Sequence, residues 1–416
     1  MCSPPVSDEG LVWQQIFSAW ANLQRCPKSD SAVALAVAIP TLSYSAMRIL
    51  FTNNTLDARA GTELYVYDVA RELRRLGHQV VAYSPRLGEV SKLLWQSGVR
   101  TIPNLAELPF RPDVIHGHHH IETMTALASL PGVPAIFVCH GTAPWEEMPP
   151  VFPRILRYAA VSVVCRARVV RDAAIPAERV RVMLNFADTD IFRPRPPLPV
   201  RPARALVFSN YATRDNYAAA VRAGCEQAGV ALDVRGFANG NPALEPQHVL
   251  PQYDIVFAKG RAAIEALAVG CAVILCDTAG LGPMVSRGNF PEVRPVNFGL
   301  AALRDPHTAE GVAAAVRAYD AADATVVRDL IRSQADMRDS VAELVRLYAE
   351  VIAENSQLTH DPLAELRAAG AYLQTLDSIL KHEPGMTPII APPVTVPDAI
   401  ALPRRKKSWL RRLIGK

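Results

Sequence analysis

Apolar positions in this chain alternate between two rhythms from Met47 onward. Short apolar runs at Arg48–Phe51, Gln79–Tyr83, Val99–Ile102, Asp113–His116, Ala135–Cys139 and Val161–Cys165 read as buried strands. Between them lie stretches with helical spacing. In Thr62–Leu76 the apolar residues Leu64, Val66, Val69, Ala70, Leu73 and Leu76 recur at helical spacing, Thr62 reads as the N-cap and Gly77 as the stop; a second helix falls near Glu89–Ser97. Strands alternating with helices at this pitch predict βαβ units and a parallel sheet.

The rhythm breaks in the proline-dense stretch Phe192–Pro202, which fits neither helix nor central strand and reads as a stiff linker. A second alternating series follows. It has strands at Ala205–Ser209, Leu232–Arg235, Asp254–Ala258 and Val273–Cys276, and helices around Tyr217–Ala228 and from Gly260. Long helical stretches come next, at Ala309–Ala322 and Val326–Glu354. The expected organisation is an extension over 1–46, a Rossmann-like domain over 47–190, a linker over 191–203, a second Rossmann-like domain over 204–354 and a tail over 355–416. Two doubly wound α/β domains of this kind bind ligands at strand carboxyl ends, so a cleft between them is the natural site.

Composition adds a few exclusions. A chain of 416 residues with a net charge of +4 is globular and gives no reason to invoke nucleic acid. Seven scattered cysteines without paired spacing read as free thiols of a reducing compartment. No run reaches the length of a membrane span. Ser31–Ala46 is apolar, but Pro40 and several hydroxyls interrupt it. A secretory leader and an extension outside the fold, or an upstream start, are the readings of 1–46. At the other end, Arg404–Lys416 is basic, and Trp409, Leu410, Leu413 and Ile414 would share one helical face suited to an anionic bilayer; a soluble basic tail is the plainer reading.

The densest chemistry lies at Tyr253–Asp277. Strand, glycine turn at Gly260, helix, glycine stop at Gly270 and strand follow one another, with Glu265 inside the helix. A helix N-terminus of this kind offers open N–H groups to an anion. Lys259 and Arg261 flank the turn, and Glu265 is placed for ribose hydroxyls. Gly61 and Thr62 form a similar opening in the first domain. Asn210 and Arg214 follow the first strand of the second domain. His140 ends a core strand, where it can donate to a sugar hydroxyl or a departing phosphate. The run His116, His118, His119, His120 alternates faces as a strand does, which argues against a metal site and leaves His118 as an acceptor contact. Asn185 and Asp188 read as turn chemistry.

Several motifs then fall into one order. Met47-Arg-Ile-Leu-Phe51, Ala60-Gly-Thr-Glu63 and Leu73-Arg-Arg-Leu-Gly-His-Gln-Val80 resemble the opening of the retaining nucleotide-sugar glycosyltransferases of group 1 (family 4-like), which have the GT-B fold. Asp113-Val-Ile-His116-Gly-His118, Val138-Cys-His140-Gly141 and the phrase from Glu178 to Pro194 resemble later stations of that family. So do Glu265-Ala-Leu-Ala-Val-Gly270 and the loop Gly280–Val285. The resemblance implies a metal-independent, retaining transferase without a cofactor, with a nucleotide-diphosphate sugar as donor and a glycan or lipid-linked acceptor, working in the cytoplasm or at the inner membrane face. One departure stands out. The family carries a glutamate eight positions before Glu265, and here that position is Phe257. Two alternatives therefore stay open: a non-catalytic relative that binds without transferring, and a nucleotide-sugar epimerase of the same fold.

Overall fold

The computed structural model describes residues 45–213 and 215–382. The expectations for 1–44, for Arg214 and for the basic end 404–416 fall outside these residues. From Ala46 the chain forms one compact unit built on two sheets.

The first sheet is all parallel, in the order β3-β2-β1-β4-β5-β6-β7. Its strands are β1 (Arg48–Thr52), β2 (Gln79–Tyr83), β3 (Arg100–Ile102), β4 (Val114–Gly117), β5 (Ala135–Cys139), β6 (Ile155–Ala160) and β7 (Val180–Val182). The crossover helices are α1 (Gly61–Arg75), α2 (Glu89–Gln96), α3 (His120–Ser129) and α4 (Val163–Asp172). Two expectations need correction. Val161–Cys165 is not a strand: the strand is β6, and Ser162 then caps α4, its Oγ accepting from the Cys165 N–H at 3.1 Å. Thr62 is not the cap of α1 either, because the helix already begins at Gly61 behind Ala60.

The second sheet runs β12-β11-β10-β8-β9, parallel except for its edge. It comprises β8 (Arg204–Phe208), β9 (Ala231–Arg235), β10 (Ile255–Ala258), β11 (Ala272–Asp277) and the antiparallel β12 (Gly280–Met284), which the sequence presented as a loop. Around it lie α5 (Ala218–Gln227), the short α6 (Pro246–Val249) and α8 (Phe290–Val293), and between them α7 (Gly260–Val269); α9 (Ala309–Arg317) and α10 (Ala321–Gln334) follow. The strand order reverses between β1 and β4 in the first sheet and between β8 and β10 in the second. Crevices at such switch points receive ligands. Asn210 and Lys259 lie just past the ends of β8 and β10, and His118 just past β4.

The expected second domain ran to 354, but the core divides earlier. The stretch read as one helix from Val326 breaks at Ala335-Asp336, where Asp336 caps a new helix by accepting from the Arg338 N–H at 2.8 Å. At that break Ala187 pairs with Asp336, so the outgoing and returning chain cross side by side. The new helix, α11 (Met337–Gln357), packs Val341, Leu344, Leu347, Tyr348 and Val351 into the core of the first sheet. The expected tail also contributes. α12 (Pro362–His382) lays Ala368, Ala369 and Tyr372 on the same core. Glu365 pairs at 2.9 Å with Arg154, which is 2% exposed and also donates to the carbonyls of Leu127, Leu130 and Val133.

If α11 is an integral part of the first core, Leu344→Ala lowers the unfolding free energy by about 3 kcal/mol in urea denaturation. A loss under about 1 kcal/mol would place the helix on the surface.

Candidate functional site

The two sheets present their carboxyl ends to each other, and a small number of side chains bridge them. β10 ends at Ala258 and α7 begins at Gly260, so Lys259 alone joins strand to helix. A connection this short needs a residue tolerant of positive φ, and Gly260 has φ +55° with nothing near the position of a Cβ. The Gly260 N–H donates to the Phe298 carbonyl at 2.8 Å. The next two N–H groups, of Arg261 and Ala262, have no partner among the described residues. The start of α1 is similar: Gly61 is exposed with open space where its side chain would be, and neither Gly61 nor Thr62 has its N–H bonded among the described residues. Each helix thus turns a positive dipole end and open donors outward from a strand end.

A chain of charge ties the two helices together. Arg261 of α7 donates from Nε to Glu265 Oε1 at 2.7 Å, and its Nη2 donates to Asp68 of α1. Arg71 of α1 in turn bonds Asp188 at the entrance to the linker. Glu265 and Asp68 are nearly inaccessible. Burial raises the Glu265 pKa against the pull of Arg261. Burial disfavours the Arg261 charge, but Asp68 and Glu265 more than offset this and its pKa is raised. Arg261, expected beside a diphosphate, is thus already committed to two carboxylates. Glu265 keeps one oxygen, Oε2, with no partner among the described residues. Asn210 also spans the cleft, its side chain donating to the Arg59 carbonyl at 3.4 Å, while Arg59 bonds the Leu244 carbonyl and pairs with Glu89 at 2.7 Å. Lys259 lies 2.8 Å from Asp277 Oδ2 and over the Tyr211 ring at 6.0 Å; burial lowers its pKa, and its side chain remains one-third exposed. Phe257, where the resemblance led to a glutamate, is wholly buried inside β10 between β8 and β11.

On the first sheet a column of rings ends at the cleft. Phe51, His116, His118 and His140 stack at successive centroid distances of 4.3, 4.6 and 4.8 Å. His140 Nε2 and His118 Nδ1 share a hydrogen bond of 2.8 Å, and His116 Nδ1 bonds the Tyr348 hydroxyl of α11. His140 is the partly exposed end of the column, whereas His118 is fully buried. His118 therefore does not meet an acceptor directly, as the sequence led us to expect; it orients the ring of His140. Strand alternation sets only His119 on the opposite face, and His119 turns to Glu147 at 3.8 Å; His120 departs because it already opens α3, and it meets the Tyr372 hydroxyl at 2.7 Å. Among the described residues no group of His, Cys, Asp and Glu has the arrangement of a metal site.

Glu147 is the site residue that sequence reasoning missed. Its Oε2 accepts from the His140 N–H at 2.8 Å, and it is almost wholly buried. Burial pushes its carboxyl up to about 7, and that of Glu122 likewise to about 7. Nothing in the spacing of Trp145-Glu146-Glu147 marks it, because the loop after β5 brings it back only in three dimensions.

Burial pushes His140 down to about 3, His119 and His120 to about 4, and His116 and His118 well below their ordinary value of 6.5. The unfolded chain takes up protons on these five histidines below pH 6.5 while the fold does not. Their stabilisation is present above pH 6.5 and lost as pH falls through the window toward 4. The four glutamates that burial raises, Glu147, Glu122, Glu265 and Glu63, act in the opposite sense above pH 4.5, but they are fewer. The fold therefore loses stability from pH 6.5 to 5 in urea denaturation, and His120→Asn reduces that slope by roughly 1 kcal/mol per pH unit. A stability that rises on acidification would contradict this ring column being neutral.

Residues 59–191 match the family model described as Glycosyltransferase Family 4. No curated protein matches the chain. Solved structures do. A glycosyltransferase from Rickettsia africae superposes with a TM-score of 0.56 at 15% identity, covering 74% of this chain and 99% of its own. The Anabaena protein HepE in complex with UDP and glucose does so with a TM-score of 0.54 at 14% identity, covering 73% and 99%. Its complex with UDP-glucose gives 0.52 at 14% identity, covering 74% and 100%. The two facing doubly wound sheets have the fold of these solved structures. Residues 59–191 are similar to a glycosyltransferase family 4 domain, and the two sheets together have the GT-B fold.

Proposed function

We propose that the protein moves a sugar from a nucleotide-diphosphate sugar to an acceptor hydroxyl, with the donor on the second sheet and a glycan or lipid-linked acceptor on the first. The observation that carries this reading is the one-residue junction at Lys259, which opens α7 toward the cleft with two unpaired N–H groups. A diphosphate there would be held by the N–H groups of Arg261 and Ala262, by the ammonium of Lys259 and by Arg214. This arrangement stabilises a departing diphosphate through fixed dipoles and cations, without requiring a metal. The free oxygen of Glu265 would accept from the ribose, and Asn210 would close over the same end. His140, neutral and oriented by His118 and Glu147, would contact the transferred sugar. Gly61 and Thr62 would approach it from the other side of the cleft. The fold shared with HepE, whose structures hold UDP and UDP-glucose, supports a nucleotide sugar as ligand. Retention of anomeric configuration is part of the proposal, by resemblance to group 1 enzymes. So is a cytoplasmic setting at the inner membrane face, approached by residues 404–416.

One observation favours a second reading. With Phe257 in the core, the glutamate that holds the donor sugar in the resembling family has no counterpart in β10. A protein that binds a nucleotide sugar without transferring it would show the same structure.

Thermal shifts with UDP-, GDP- and ADP-glucose, followed by assays of donor consumption, test both. Stabilisation by one nucleotide sugar with turnover is the expected result. Stabilisation without turnover selects the second reading, and no shift with any of them removes both. For the responding donor, Lys259→Ala raises KM roughly tenfold, and His140→Ala lowers kcat by roughly a hundredfold with little change in KM. A His140→Ala enzyme with wild-type kcat would remove that residue from the site.

A further inference from the structure

Just after α8, Asn297 and Phe298 follow each other with φ of +58° and +51°. A residue other than glycine is uncommon in this left-handed region, and a phenylalanine there persists only where its surroundings over-determine it. Here they do. The Phe298 side chain is wholly buried, its ring 6.0 Å from that of Phe290 and 5.9 Å from the Arg294 guanidinium. The Asn297 N–H donates to the Arg294 carbonyl at 2.8 Å and the Phe298 N–H to the Val293 carbonyl at 2.9 Å, so the stretch is closed on itself.

Its outward bonds reach four separate places. The Phe298 carbonyl accepts from the Gly260 N–H at the opening of α7. The Pro295 carbonyl accepts at 3.0 Å from the N–H of Val163, the first residue of α4 in the first domain. That donor would otherwise be one of the unpaired N–H groups of a helix start. Asn297 Oδ1 accepts from the Asn185 N–H at 3.3 Å. Arg294 Nη2 donates to the Asn185 carbonyl at 2.9 Å and to the Gln334 carbonyl, at the end of α10, at 3.5 Å. Asn185 and Gln334 precede Ala187 and Asp336, where the outgoing and returning chain pair.

Arg294 is itself unusual. It is 6% exposed and has no carboxylate partner among the described residues; besides the two carbonyls it meets Asn297 Oδ1 at 3.4 Å. Burial lowers its pKa to about 10. A buried guanidinium without a counter-charge is costlier than an apolar side chain of the same size, so packing alone does not account for it. Its fork of donors takes the carbonyls of both crossing strands at once, which no apolar side chain can do.

We infer that Arg294 and Asn297 are positioning residues that register the opening of α7 against the first sheet. The stretch 294–298 touches that opening at one end and the chain crossing and α4 at the other. A buried, closely bonded stretch transmits displacement rather than absorbing it. An anion seated on the N–H groups of Arg261 and Ala262 steadies the first turn of α7, including Gly260, and through 294–298 it steadies Asn185 and Val163. The linkage is reciprocal, so a fixed crossing also favours the occupied opening. The inference rests on the reading of the α7 opening as the anion site of the donor. It adds that occupancy there is felt in the domain that carries His140.

The test is hydrogen–deuterium exchange of the full-length protein with UDP, GDP or ADP, resolved to the amides of Val163 and Asn185 as well as to 259–265. In wild type the nucleotide that slows exchange over 259–265 is expected to slow Val163 and Asn185 roughly fivefold. Asn297→Gly removes the acceptor for Asn185 and loosens the stretch, and glycine adopts positive φ freely, so the fold is not at risk. It is expected to keep the protection over 259–265 and to lose the slowing at Val163, whose own hydrogen bond the substitution leaves in place. Arg294→Met is expected to act in the same direction. Asn297→Asp restores an acceptor at that position and is expected to retain the slowing. The inference is overturned, and the donor reading kept, if a nucleotide protects 259–265 but leaves Val163 and Asn185 unchanged in wild type. It is equally overturned if Asn297→Gly passes the slowing to Val163 as well as wild type does. If none of the three nucleotides protects 259–265, the donor reading falls and the inference falls with it.

Discussion

The contact between Arg261 and the two carboxylates Asp68 and Glu265 is the constraint on which the cleft depends. One guanidinium, supplied by α7, is bonded to a side chain on α1 and to another on its own helix. Taking three charges out of water is costly, and the arrangement is stable only because each charge has a directed partner. Removing one partner would strand the others, so the chain acts as a strut that fixes how the two helix openings face each other. Arg71 and Asp188 extend it to the linker, where the chain leaves the first sheet. The charges are committed to geometry, so in the proposed reading anion binding falls to backbone N–H groups and to Lys259.

The strut is supported from behind. The chain crosses back at Ala187 and Asp336, and α11 and α12 then rebuild the far side of the first core. Tyr348 of α11 reaches His116, and Tyr372 of α12 reaches His120, so the helices that close the fold also anchor the histidines behind the site. Burial in this column keeps the rings neutral. His140 therefore enters the cleft as an uncharged donor or acceptor with its ring oriented by His118 and its backbone held by Glu147. Packing, protonation state and orientation follow from the same contacts.

Much of this was legible in the sequence, and the failures have physical causes. The strands from β1 to β5, the linker and the β10–α7 junction follow from apolar runs, prolines and glycines, because those signals are local. Val161–Cys165 misled because a short apolar run fits strand and helix equally; Ser162 was the available cue, as a cap just before α4. The return of α11 was marked locally only by Asp336, and its destination depends on which core has room for Leu344 and Tyr348. α12 was set aside with the tail since its inner face is built of Ala368, Ala369 and Tyr372, and its leucines point outward. In the site, the positions of Asn210, Lys259, Glu265 and His140 near the cleft followed from strand ends. That Glu265 would be paired with Arg261, that His118 would be sealed in and that Glu147 would sit beneath His140 are three-dimensional facts without a sequence period.

Hydrogen–deuterium exchange of the full-length protein with and without UDP, GDP or ADP is the most direct test of the central claim. If the opening of α7 is an anion site held in place by the Asp68–Arg261–Glu265 strut, one of these nucleotides slows exchange across residues 259–265, and Arg261→Met weakens that protection. Unchanged exchange over 259–265 with all three nucleotides, or protection in the variant equal to wild type, would contradict the account.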